Sequence, residues 1–396
     1  RNMNDELQKY RKKFSVSEKF KSLKTGEKFA CAIVIPCFAE SGYLPQTLES
    51  LAQNDSFLLK KSAVIVVVNR PRKSQTDADL IKDNSRTIEF VLNKSPKNLN
   101  IFIVEEFDGN LDLIIEGGVG EARKIGMDIA LEILDHRSNP FIASLDADTT
   151  VEGNYLQELF SFFNKGEAYA AVIDFSHSKG DDESGDKAIA VYERYLKYYA
   201  DGLTHAGSPY AFHTIGSAMA LTPLAYVRVG GMKMRQGGED FYFLQALRKT
   251  GKVERINSTR VHPSARFSSR VPFGTGISLQ KISNGNGKIF NNPLLFELLR
   301  EFFTKAEILF EKPQTDIEEW ANGLDSEMSD FLRESGFASV WPKIVKNTPD
   351  NSRKRKEAFH SWFDAFMTLK FIHFCEDKYP AKFARLELQE LNPKRH

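Results

Sequence analysis

Four short apolar runs rich in β-branched residues constrain this chain more than any other feature. They occupy residues 29–35, 63–68, 101–104 and 141–145. Each is too short for a buried helix and too uniformly apolar for a strand with one wet face. Between them, residues 43–54, 76–81 and 122–134 space their apolar side chains at helical intervals. Strand and helix in alternation predict an α/β fold with a mostly parallel central sheet flanked by helices. Ligands in such sheets bind beyond the carboxyl ends of the strands. Each run exits there into polar residues: Pro36 to Glu40, Asn69-Arg70-Pro71, Glu105-Glu106 and Asp146-Ala147-Asp148. The chemistry is therefore expected along one edge.

Beyond this region the pattern is mixed. A helix over 155–164 precedes a strand over 168–175, and the polar stretch 177–186 reads as a mobile loop. An aromatic helix over 188–200 follows, then a strand over 218–221 and a helix-like run over 241–249. From about residue 290 the strand signal fades into helical patterns rich in Phe and Leu, clearest over 294–310 and 358–379. The chain thus divides into a charged helical lead-in (1–28), an α/β domain (29–285, in halves 29–150 and 151–285) and a helical C-terminal domain (290–396).

Bulk properties exclude several function classes. A formal net charge of +1 gives no electrostatic footprint for nucleic acid. No apolar run approaches the roughly 20 residues that span a bilayer, and residues 1–24 lack the apolar core of a signal peptide. Cys31, Cys37 and Cys375 form neither a disulfide framework nor a zinc-type cluster. A cytoplasmic, reducing setting is expected. The basic run Arg353-Lys354-Arg355-Lys356 reads as a solvated helix start and leaves a peripheral membrane contact open.

Two acidic pairs carry the chemistry. In an extended segment Asp146 and Asp148 point to the same side, and two hard carboxylates suit Mg²⁺ or Mn²⁺ shared with a diphosphate. The plain alternative is a solvated turn. Asp240, after Glu239 at the start of a helix-like run, is either an N-cap or a general base.

Four ordered motifs together resemble the family 2 glycosyltransferases of GT-A fold over roughly residues 29–280. They are Val34-Ile35-Pro36 with Glu40, the glycine-containing segment from Gly117 through Arg123 to Gly126, Asp146-Ala147-Asp148, and Gly230-Gly231 before Gly238-Glu239-Asp240. The resemblance implies a metal-dependent transferase with Mn²⁺ or Mg²⁺ as cofactor. It would move a sugar from a nucleotide-diphosphate donor to an acceptor hydroxyl by inverting single displacement. Residues 29–150 would bind the nucleotide and 151–285 the acceptor. Asp148 is the main implied metal ligand, with Asp146 near the ribose or the metal and His262 as a third ligand. Asp240 is the implied base, and Glu239 orients the acceptor or the base. Pro36, Glu40, Asn69, Arg123 and Asp146 form the implied nucleotide pocket, and Arg266 and Arg270 a diphosphate clamp.

Plain readings stand beside these: a structural histidine at 262, a helix ion pair at Arg123, a surface loop around Arg266 and Arg270. Gly216-Ser217 would leave room for the transferred sugar. The chain departs from the family at Asn69, where the second strand usually ends in Asp, so the donor base stays open between UDP and GDP. A retaining GT-A transferase on a small phosphorylated or carboxylated acceptor remains an alternative. So does a non-catalytic nucleotide-sugar-binding relative.

Overall fold

A computed structural model of the chain describes residues 3–20, 26–71, 77–105, 114–116, 118–166, 168–179, 183–235, 237–266 and 290–380. Tertiary contacts divide it into two units, Arg1–Ile189 with Thr214–Gln280, and Ala190–His213 with Lys281–His396.

The first unit is built on strands β1 (Cys31–Cys37), β2 (Ser62–Val68), β4 (Asn100–Val104), β6 (Phe141–Ser144), β7 (Thr149–Val151), β8 (Ala170–Phe175), β9 (Met219–Leu221) and β10 (Val253–Pro263). Their order is β4-β2-β1-β6-β9-β8-β10-β7, and the short strands β3 (Arg70–Pro71) and β5 (Ile114–Ile115) pair separately. The first four strands in that order are parallel. β9 runs antiparallel to both neighbours, β10 is parallel to β8, and β7 is antiparallel to β10. This is the mostly parallel sheet that the apolar runs predict. β1 and β2 are buried along all seven residues each, as strands covered on both faces must be.

Helices α1 (Met3–Lys13), α2 (Leu44–Ala52), α3 (Ser56–Lys60), α4 (Ala78–Lys94), α5 (Gly118–Ile133), α6 (Tyr155–Phe163), α7 (Glu183–His205), α8 (Pro223–Arg228) and α9 (Glu239–Thr250) accompany the sheet, the unit boundary falling inside α7. α5 lies against the sheet at Gly126, where an added Cβ would sit 2.3 Å from Val34 Cγ1. Only glycine permits so close an approach. α4 extends well past the periodic stretch 76–81 and starts on the Asp77 carboxylate, which accepts from the Asp79 and Leu80 N–H groups. α7 begins at Glu183, inside the stretch expected as a loop. The lead-in helix α1 is fastened to this unit: Arg11 donates twice to Glu132, both at 2.9 Å, and Arg228 donates to Glu6 at 2.9 Å.

The second unit adds α10 (Leu294–Glu311), α11 (Ile317–Asn322), α12 (Ser326–Glu334), α13 (Phe337–Asn347), α14 (Ser352–Trp362) and α15 (Ala365–Phe374). Its core is aromatic, with Phe302, Phe310, Phe337, Trp341, Phe359 and Phe363 all buried. Each such side chain contributes roughly 1.5–3 kcal/mol by burial. The single helix expected over 358–379 is broken at Phe363-Asp364. There the Asp364 carboxylate accepts from the Phe366 and Met367 N–H groups and starts a new helix. The basic run is fully partnered. Arg353 and Lys354 pair with Glu357, Lys356 pairs with Glu307, and buried Arg355 donates to Asp350 and to the Phe310 carbonyl. Among the described residues no helix is long and apolar enough to cross a membrane.

Candidate active site

The site of the first unit is assembled where β1, β2, β6 and β10 end. Past β1 the chain turns at Ala39, whose φ of +53° is the one left-handed non-glycine conformation among the described residues. A strained turn persists only where its surroundings over-determine it, and α4 does this here. Asn84 accepts from the Ala39 N–H at 2.9 Å and donates to the Asn69 carbonyl at 3.0 Å. Asp83 accepts from the Ser41 N–H at 2.9 Å and from its hydroxyl at 2.6 Å. The Asn69 N–H in turn donates to the Cys37 carbonyl at 3.0 Å. One helix thereby fixes both strand exits, and Glu40, between the anchored residues Ala39 and Ser41, is buried. Pro36 stays within β1, opposite Val67.

Past β6, Asp146-Ala147-Asp148 forms a turn closed by the Thr149 N–H on the Asp146 carbonyl at 3.1 Å. The extended geometry expected for this segment is absent, and the two carboxylates meet different arginines. Arg123 on α5 donates from Nη2 to Asp146 and from Nη1 to Glu239. Arg266, just past β10, donates to Glu40 at 2.5 Å and pairs with Asp148 at 2.9 Å. Its guanidinium lies over the Tyr43 ring at 4.4 Å. The Ser264 N–H, donating to the Asp148 carbonyl at 3.1 Å, ties the end of β10 to the same turn.

Arg123 is only 3% exposed. It is a buried link between the two acidic pairs, an ion pair but not the surface helix cation of the plain reading. Space for it comes from Gly216, where a Cβ would lie 2.3 Å from Arg123 Nη2. The room expected there for a sugar is taken by the guanidinium. Gly120 lets the start of α5 approach the Lys233 and Arg235 carbonyls, each 2.8 Å from an added Cβ, just ahead of the Glu239-Asp240 pair. Burial disfavours the Arg123 charge, but Asp146, Glu239 and Asp240 more than offset it and the guanidinium stays protonated.

Gly238, at φ +65°, occupies the N-cap position of α9, so Asp240 is not that helix's cap. Glu239 is buried and Asp240 half-buried, with the Phe241 N–H donating to the Asp240 carboxylate at 2.7 Å. Burial, then the Glu239 charge, pushes the Asp240 carboxyl up to about 7 against the opposing pull of Arg123. Asp148 also rises to about 7, mainly through burial, with Asp146 and Glu40 adding to it and Arg266 opposing. The edge therefore gathers five carboxylates (Glu40, Asp146, Asp148, Glu239 and Asp240) around two guanidiniums. Hard oxygen donors suit Mg²⁺ or Mn²⁺, but a cation here would need phosphate oxygens to complete its shell, because these carboxylates do not form a three-ligand metal group by themselves.

His262 makes its contacts elsewhere. Nδ1 lies 2.9 Å from the Ser176 carbonyl and Nε2 lies 3.6 Å from Glu152. Among the described residues no three His, Cys, Asp or Glu side chains are grouped to hold a metal ion. Arg270 lies outside the described residues, as does Gly117. Sequence reasoning passed over Tyr43, Asp83 and Asn84, since nothing in local spacing marks a ring beneath an arginine or a helix that props a distant turn. It also passed over a second buried cluster around Asp128. The i,i+4 spacing of Lys124 and Asp128 on α5 was a legible signal for that pair.

No protein-family profile matches the chain, and no curated protein matches it in sequence. Solved structures that resemble it include TarS of S. aureus, residues 1–349, with a TM-score of 0.41 and 15% identity over 84% of this chain and 91% of that one. The same protein in complex with UDP-GlcNAc gives 0.42 and 13%, and in complex with UDP 0.40 and 13%, over the same shares of the two chains. Likeness at this level leaves the activity to be argued from this chain's own residues.

Proposed function

We propose that the first unit transfers a sugar from a nucleotide-diphosphate donor, UDP- or GDP-linked, to an acceptor hydroxyl by inverting single displacement. One observation carries this reading: the acidic pairs Asp146/Asp148 and Glu239/Asp240 meet at one sheet edge, bridged by Arg123. A carboxylate near neutral pKa is matched to taking a proton from a hydroxyl at neutral pH. Asp240 is thus the base, and Glu239, locked by Arg123, orients the acceptor. Asp148, with Asp146 and Glu40 beside it, would hold Mg²⁺ or Mn²⁺, which when bound neutralises the leaving diphosphate. Pro36, Glu40 and Asn69 line the nucleotide end, where an amide in place of a carboxylate offers the base both a donor and an acceptor.

The test begins with thermal shifts in UDP, GDP and their sugar conjugates, with and without Mn²⁺. A ligand at 100 times its Kd adds about 2.7 kcal/mol. Asp240→Asn is expected to lower transfer by about 10²–10⁴ while keeping the donor-induced shift. If donor binding is lost instead, Asp240 is not the base. Asp148→Ala is expected to remove the Mn²⁺-dependent part of the shift, and an undiminished metal effect would sink that assignment.

A further inference from the structure

Resting on the reading of this unit as a metal-assisted transferase, we infer that Arg266 is the built-in counter-cation of Glu40 and Asp148, and that a divalent ion takes Asp148 only as Arg266 releases it. Three contacts hold Arg266 in place: Glu40 at 2.5 Å, Asp148 at 2.9 Å and the Tyr43 ring at 4.4 Å. All three charged side chains are largely buried, Arg266 at 17%, Glu40 at 9% and Asp148 at 18% exposure. A guanidinium is always charged and offers donors only. It competes for the same carboxylate lone pairs that a metal needs, and the two cations repel at contact distance. Arg123 is no such competitor, because it is buried and tied to Glu239 as well as Asp146.

A diphosphate changes this balance. It brings its own negative charge, and its oxygens suit the forked donors that Arg266 withdraws from Asp148. Metal and nucleotide binding are then coupled through one side chain, and coupling of this kind is reciprocal. Metal alone binds weakly because it must displace Arg266; metal with nucleotide binds well because Arg266 has somewhere to go. A simple diphosphate clamp would act differently, since its removal leaves metal binding in the absence of nucleotide unchanged.

The experiment is a Mn²⁺ titration of the whole protein without nucleotide, with free Mn²⁺ read by electron paramagnetic resonance. Arg266→Gln is expected to bind Mn²⁺ about tenfold tighter than the wild type, and Arg266→Lys, which keeps the charge, to stay near it. Arg260→Gln is the control, because Arg260 is on β10 and pairs with Asp174 at 2.8 Å. It is expected to change nothing. Adding Asp148→Ala to Arg266→Gln is expected to abolish the gain. An Arg266→Gln protein that binds Mn²⁺ no tighter than Arg260→Gln overturns the inference, as does absence of Mn²⁺ binding in both. If Arg266→Gln fails to fold, Tyr43→Leu replaces it. Loss of the ring loosens Arg266 and is expected to tighten Mn²⁺ binding about two- to fivefold, and unchanged affinity overturns the inference equally. UDP and GDP are added last. Tighter Mn²⁺ binding in Arg266→Gln without any nucleotide effect in the wild type upholds the competition at Asp148 and defeats the transferase reading instead.

Discussion

Arg123 and Lys124 are neighbours on α5, yet each serves a buried charge cluster of opposite character. The Lys124 cluster is balanced. Asp128, fully buried, accepts from the hydroxyls of Tyr10 at 2.6 Å and Tyr226 at 2.7 Å, from the Val16 N–H at 2.8 Å and from Lys124 at 3.0 Å. Lys124 also donates to the Tyr10 hydroxyl at 2.8 Å. Burial and the Asp128 charge drive both phenols upward, so they keep their protons as donors. One acid faces one base, and nothing is left over for a ligand. Around Arg123 and Arg266 five carboxylates share two cations, and two of those carboxyls are pushed up to about 7. A buried charge costs several kcal/mol unless it is paired. A fold that satisfies this rule at Asp128 and breaks it a turn away keeps the surplus negative charge for something that binds.

The largest effect that tests this contrast is the loss of Asp128. Asp128→Ala strands a buried ammonium and two phenolic hydroxyls, and breaking such a pair on one side costs about 3–5 kcal/mol. The cluster joins α1, α5 and α8, and Gly231, where an added Cβ would sit 2.2 Å from the Tyr10 hydroxyl, makes room for it. Urea denaturation should show the full loss, with proteolysis of α1 rising alongside. A loss below about 1 kcal/mol would mean that the cluster is not what holds α1 in place.

Gly216→Ala comes next. The new Cβ would press on the Arg123 guanidinium, which has no free direction because both its Nη atoms are already engaged. Overpacking of this kind costs about 1–3 kcal/mol. Because Arg123 spaces the two acidic pairs, the donor-induced thermal shift should shrink with stability. A variant with unchanged melting and unchanged donor response would show that Arg123 is not locked between them.

The sheet was legible because strands buried on both faces must read as uninterrupted apolar runs, and β1, β2 and β6 do. α4 was legible only at its start. Beyond residue 81 its buried positions are Asn84, Thr87 and Val91, two of them polar, because the helix props a turn as well as covering the sheet. The break at Asp364 escaped a reading by apolar periodicity, since Phe recurs on both sides and the break is marked by a side-chain cap that starts the second helix. At the site, the acids were legible one by one as polar residues at strand exits. Their partners were not. Arg123 finds Glu239 across 116 residues and Arg266 finds Glu40 across 226, distances over which local spacing carries no signal. The carboxylates that hold the two arginines therefore lay beyond the reach of a reading by local spacing.

The smallest prediction separates the two clusters most sharply, because it reverses the sign of the first. Removing the Asp128 charge should destabilise the protein, whereas removing the Asp240 charge should stabilise it. In the fold Asp240 keeps its proton to about pH 7, while in the unfolded chain it ionises near the ordinary carboxylate value of about 4. Between these values the native state holds a proton that the unfolded state has released. Stability therefore falls as pH rises across that window and levels off above about 7. Asp240→Asn abolishes this part of the slope, and the Asp148 part, of the same sign, remains. Melting curves in a chelating buffer should show almost no difference between variant and wild type near pH 4. By pH 8 the variant should be ahead by about 1–2 kcal/mol, since partial exposure of Asp240 screens the larger figure that full burial would give. Equal stability at pH 8 would mean that Arg123 neutralises Asp240 as completely as Lys124 and its neighbours neutralise Asp128, and the surplus of charge at this edge would no longer single it out as the place where a ligand binds.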